Sequence, residues 1–122
     1  MHPDWGGTYF LPKLVGTAKA CELIWSGRMI DATEALELGI VSQLTEPDDL
    51  MPTTLELAKS LAAGPPNAIR LSKRAIYKSM ESDLREALEF ETFAQNVCAA
   101  TKDAREGISA FVEKREPKFT GN

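Results

Sequence analysis

Apolar residues recur at spacings of three and four along most of this chain, the period of helices that dock on one side. The strongest case runs from Leu84 to Cys98, where Leu84, Ala87, Leu88, Phe90, Phe93, Ala94, Val97 and Cys98 are apolar. At 100° per residue these positions cover an arc of roughly 220°, more than twice the stripe that one docking surface requires. A helix of this kind calls for two neighbours. Ser82 is placed to cap it. A second helix is predicted from Pro66 to about Met80, with Ile69, Ala75 and Ile76 turned inward and Arg70, Lys73, Arg74 and Lys78 forming a basic stripe. Such stripes commonly cover a solvated helix face; contact with the phosphates of a coenzyme is the sharper alternative.

Local stop signals set the remaining elements. Thr17 is placed to cap a helix that reaches Ser26 and ends at Gly27, and Asp31 another, with Glu34 as its reciprocal partner and Gly39 at its end. Val41 to Leu44 reads as a short strand, with a second very short one at Met29. Glu46-Pro47-Asp48-Asp49 then opens a longer helix with Leu50, Leu57 and Leu61 among its apolar positions, closed at Gly64-Pro65-Pro66. Pro52 is tolerable in its first turn, which needs no amide hydrogen. Thr101 caps a last helix that stops before Glu116-Pro117. The expected fold class is therefore mainly α, with at most two very short strands.

Composition narrows the classes. At 122 residues the chain suffices for one modest domain, 43% hydrophobic and 26% charged. A net charge of -4 argues against nucleic acid as the main partner, because phosphate binding calls for clustered positive charge. No run approaches the ~20 apolar residues of a membrane span, and a cytoplasmic setting is expected. Cys21 and Cys98 lack Cys-x-x-Cys spacing and there is one His, so no metal site is expected and both thiols read as small buried hydrophobes. His2 is given no role.

The candidate chemistry lies near the start, in Pro3-Asp4-Trp5-Gly6-Gly7-Thr8. One carboxylate stands there beside a large aromatic and two glycines, placing a proton carrier next to a backbone that can approach a ligand closely. The plain alternative is that Asp4 caps a turn before the glycines. Gly6 and Gly7 suit that turn, and Thr8 suits an N-cap for the helix behind it.

The run Pro3 to Gly16 resembles the Pro-x-x-Gly-Gly-Thr-x-x-Leu-Pro-x-x-Val-Gly segment of the crotonase family, the enoyl-CoA hydratases and isomerases. Gly27-Arg28-Met29-Ile30-Asp31-Ala32-Thr33-Glu34-Ala35 with Leu38-Gly39-Ile40-Val41 is similar to the family's next segment, and Ala100 to Arg115 to its closing helix. The resemblance spans nearly the whole chain in the right order. It implies that residues 1–122 are the helical C-terminal region of a larger crotonase-like domain, without the strand spiral that carries the oxyanion-hole amides. It further implies an acyl-CoA substrate with no separate cofactor, and a homo-oligomer. In several family isomerases the residue at the Asp4 position is the catalytic Asp, whereas hydratases have Gly there and use two carboxylates from the first half. Double-bond isomerisation with Asp4 as acid and base is thus implied ahead of hydration. Trp5, with Tyr9 and Phe10, is expected to exclude water and raise the Asp4 pKa. Gly6 is expected to line the substrate, and Lys114 matches a lysine that reaches the adenine and phosphates of coenzyme A; a lysine complementing the helix dipole is the alternative. Gln95 stands where relatives often have an aromatic near the adenine, with Phe93 two positions away. The rival class is a non-catalytic helical oligomerisation module.

Overall fold

The computed structural model describes residues 2–122. Its order is α1 (Gly7–Val15), α2 (Thr17–Ser26), α3 (Ala32–Glu37), a 3-10 turn (Pro47–Asp49), α4 (Leu50–Ala62), α5 (Pro66–Ser79), α6 (Leu84–Ala99) and α7 (Lys102–Glu113). No strand occurs among the described residues, so the fold is all helical, and no helix is long and apolar enough to cross a membrane. The chain divides into two compact units, Met1–Met51 and Pro52–Asn122, and α4 straddles the division.

In the first unit α1 packs on α2 across a one-residue joint at Gly16. That residue has φ 77° and ψ 160°, a region essentially reserved for glycine, and it is the N-cap of α2. Thr17 is therefore the first helical residue and makes no side-chain cap, contrary to expectation. Asp31 does cap α3, accepting the Glu34 amide at 2.8 Å. Glu34 does not return the favour. Its carboxylate is held from both sides by the Arg28 guanidinium, at 2.5 and 2.8 Å, and Arg28 reaches Glu22 at 3.0 Å. The end of α3 explains the missing strand at Val41. Gly39 (φ 72°) donates to the Leu36 carbonyl, while Ile40 and Val41 both donate to Ala35, in the manner of a Schellman motif. Amides that a strand would offer sideways are turned back onto the helix. Met29 likewise lies in an irregular link.

In the second unit α5 packs on α6 and α6 on α7. Leu71 and Ala110 are its buried apolar side chains among the described residues, whereas Ile69 and Ile76, expected inward, are exposed and Ala75 is half-buried. Asp83 rather than Ser82 caps α6, accepting the Glu86 amide at 2.9 Å; the Ser82 hydroxyl instead donates to Lys78 O at the end of α5. Thr101 caps α7 as expected, accepting from Ala104 N at 3.1 Å.

The segment after α7 folds back along it. Asp103, only 4% exposed, accepts from Thr120 N and Gly121 N at 2.8 Å each, one to each carboxylate oxygen, and Thr120 Oγ1 lies at 3.4 Å. Lys102 N and Asp103 N donate to Asn122 O, and Asn67 Nδ2 on α5 donates to Gly121 O. Further along, Glu106 binds Arg115 through both oxygens at 2.6 and 3.0 Å and accepts Lys118 N at 2.8 Å. A buried carboxylate is tolerable here because fixed donors replace its water.

Asp103→Asn places an amide NH2 against one of two backbone donors. Denaturant titration is expected to show a loss of about 1–3 kcal/mol, the cost of a buried unpaired polar group; an unchanged midpoint would show that the fold-back contributes little.

The Arg115 guanidinium, and then the Lys118 amide, depress the Glu106 pKa from 4.5 to about 2. A depressed carboxylate stabilises the folded state above its unfolded pKa, and the contribution is lost as pH falls through the folded value. Glu106→Gln should therefore lower stability at neutral pH and remove part of its decline between about pH 4.5 and 2. Thermal unfolding across that range, compared with the unaltered protein, checks both.

Candidate active site

The Asp4 turn is built entirely from its own backbone. Gly7 N donates to the Asp4 carbonyl at 2.9 Å, and the two central residues have positive φ, 55° at Trp5 and 80° at Gly6. Positive φ at both centres is the pattern of a type I′ turn, which favours Asn or Asp followed by Gly. Gly6 then serves as N-cap of α1, its carbonyl accepting from Tyr9 and Phe10. A Cβ at Gly6 would lie 2.8 Å from the Phe10 ring, so both its φ and the space around it call for glycine. Thr8, expected as the cap, falls inside the helix.

The turn uses the Asp4 carbonyl and leaves the Asp4 side chain on the surface. Trp5 beside it is 95% exposed, so within this unit its indole does not dry the carboxylate. Tyr9 and Phe10 pack edge to face at 5.1 Å, and Lys13 Nζ lies 3.9 Å from the Tyr9 ring centre. Asp4, Trp5 and Gly6 thus share one turn in the first unit. Lys114 belongs to the second.

Lys114 is the C-cap of α7, with φ 54° and an exposed side chain. Trp5 and Lys114 are the two non-glycine residues with positive φ among those described. Sequence patterns did not signal either outlier, since neither Trp nor Lys is a residue that favours this region. They also gave no sign that Arg28 would brace the link between α2 and α3.

On α5, Arg74 and Lys78 stand over the Phe90 ring of α6 at 5.4 and 5.7 Å, and Arg70 bonds Asn67 at 3.3 Å. Part of the basic stripe is therefore engaged within the helix pair. Gln95 and Phe93 are both exposed on α6. Among the described residues no group of three or more His, Cys, Asp or Glu side chains is placed to hold a metal. Both cysteines are free thiols and half-buried. A cavity of about 390 Å³ in the second unit is lined mainly by apolar groups, including Ala104, Gly107, Ile108, Phe111 and Phe119; it includes no candidate catalytic residue.

Comparison with known proteins places this geometry. The family model for enoyl-CoA hydratase/isomerase matches residues 1–122. The chain is 46% identical over 119 residues to YngF of Bacillus subtilis, named as an enoyl-CoA hydratase/isomerase, covering 98% of this chain and 46% of that one. It is 41% identical over 114 residues to the short-chain-enoyl-CoA hydratase of Clostridium acetobutylicum, covering 93% and 44%. The crystal structure of enoyl-CoA hydratase from Bacillus anthracis superimposes with a TM-score of 0.93 at 40% identity, covering all of this chain and 47% of that one. The chain thus spans about half the length of these relatives and corresponds to the helical C-terminal part of their fold. With all of its residues matched to one family model and its helices shared with a solved relative, the chain belongs to the enoyl-CoA hydratase/isomerase, or crotonase, family.

Proposed function

We propose that these residues are the helical half of an enzyme that shifts a double bond in an enoyl-CoA thioester, with Asp4 as the proton carrier. The observation that carries this reading is the Asp4 turn: a surface carboxylate on a glycine turn, its own backbone carbonyl already engaged and its side chain left available. In the forward direction the carboxylate takes a proton from the carbon next to the thioester carbonyl, and negative charge moves to the carbonyl oxygen. The resulting acid returns a proton two carbons further along, giving the conjugated thioester with no net loss of atoms. One group serves both steps if it lies within hydrogen-bond reach of both carbons. The oxygen requires fixed donors, which the family's first half supplies.

Trp5 and Gly6 contribute the substrate-facing part of this turn. Lys114, exposed at the end of α7, contributes a cation for the phosphates or adenine of coenzyme A. No further cofactor is needed, since the coenzyme is part of the substrate. Hydration is the second reading, favoured by the 41% identity to a relative named as a short-chain-enoyl-CoA hydratase. A homo-oligomer is supported by the apolar side chains that α6 and α7 leave uncovered, including Leu84 at 74% and Phe111 at 85% exposure.

Asp4→Asn, made in the protein of full family length, keeps size and turn preference but removes the basic form. Isomerisation should fall by about 100-fold or more with substrate binding little changed. If Asp4 only formed the turn, turnover would stay near that of the unaltered enzyme, because Asn suits the same turn.

The 122 residues purified alone should give no measurable turnover on short enoyl-CoA substrates, since losing even one oxyanion donor costs about 100- to 1000-fold. In the same preparation sedimentation should show species larger than a monomer. Ordinary family turnover from the isolated chain would overturn the first expectation, and a strict monomer at high concentration the second.

A further inference from the structure

Trp5 occupies a position that its own fold does not explain. The turn from Asp4 to Gly7 demands positive φ at both central residues, and Gly6 meets that demand without strain. Glycine would meet it equally at the preceding position. The chain instead carries its largest kind of side chain there, at φ 55°, in a region that L residues populate sparsely. Packing gives no compensation within the unit, since the indole is 95% exposed. Residues kept in such conformations cluster where a ligand is handled.

Position narrows what that ligand part is. If Asp4 moves a proton from the carbon next to the thioester carbonyl to the one two carbons further along, its carboxylate lies about 3 Å from the reacting chain. Adjacent Cα atoms are about 3.8 Å apart, so the residue next to Asp4 stands within a side chain's length of the same acyl group. An indole offers a broad apolar face and a single donor, which suits a hydrocarbon chain and not the charged phosphates at the coenzyme end. We infer that Trp5 is a specificity residue: its indole walls off the acyl pocket beyond the reacting carbons and restricts the enzyme to short acyl chains. The inference rests on the assignment of Asp4 as the proton carrier.

The test uses the protein of full family length with Trp5 unchanged, Trp5→Gly and Trp5→Leu. kcat/KM is measured on butenoyl-, hexenoyl-, octenoyl- and decenoyl-CoA, with a thermal melt of each protein. Unchanged Trp5 should prefer the short chains. In Trp5→Gly the ratio of decenoyl to butenoyl kcat/KM should rise by about tenfold or more, the low end of what a hydrophobic pocket discriminates for one methylene. Trp5→Leu, smaller than Trp but still apolar, should give an intermediate rise and stands in if the glycine variant does not fold. Trp5→Gly should also melt no lower than the parent, because glycine relieves the left-handed backbone. A uniform fall at every chain length with a lower melting point would overturn the inference, by showing that Trp5 packs against protein. So would an unchanged ratio. Absence of turnover at every length in the unaltered protein would overturn the Asp4 assignment, and this inference with it; turnover that ignores chain length would overturn this inference alone.

Discussion

Shortage of buried apolar surface is the constraint on which the rest of this structure depends. Ala20 in the first unit and Leu71 and Ala110 in the second are its buried hydrophobic residues among those described. Two of the three are alanines, which let helices approach closely but remove little area from water. With so little burial, the relative placement of helices falls to polar groups with fixed geometry. Gly16 and the Schellman end of α3 set the joints of the first unit. In the second unit the Asp103 carboxylate joins the start of α7 to the segment that follows its end, and Asn67 brings α5 into the same group of bonds.

Those polar fasteners differ in weight. Asp103 is buried, so each of its bonds replaces water that cannot return, and loss of one leaves a donor unsatisfied. The Arg28 cluster is exposed. Lys19 and then Arg28 hold the Glu22 carboxylate below its usual pKa, and Arg28 does the same to Glu34. Solvent screening nevertheless makes such a network a guide for the link between α2 and α3, not a large source of stability.

The apolar side chains left over are not scattered at random. On α6 Leu84, Leu88 and Phe93 are exposed, and on α7 Ile108, Phe111 and Val112. The roughly 220° arc along α6 already required two neighbouring surfaces, and within the chain α5 and α7 satisfy only part of it. The chain spans about half the length of its relatives. The Asp4 turn likewise displays a carboxylate and an indole but encloses neither.

Sequence by itself determined the features whose causes lie within one turn of chain. Asp31 and Thr101 cap their helices, Pro66 begins α5 and Gly39 ends α3, because each bond involved spans only a few residues. The Pro3 to Gly16, Gly27 to Val41 and Ala100 to Arg115 segments, taken together and in order, pointed to the family. Where two neighbouring residues were both able to cap, the three-dimensional path chose: Gly16 over Thr17 because the joint takes φ 77° and ψ 160°, a region essentially reserved for glycine, and Asp83 over Ser82 because Ser82 bonds back to α5. The Schellman end at Val41 and the turn at Trp5 are also local, but no residue type announced them; tertiary structure alone decided that Leu71 is buried while Ile76 is not. Burial is settled by what the rest of the chain provides as a partner, and the local spacing of apolar residues does not record that.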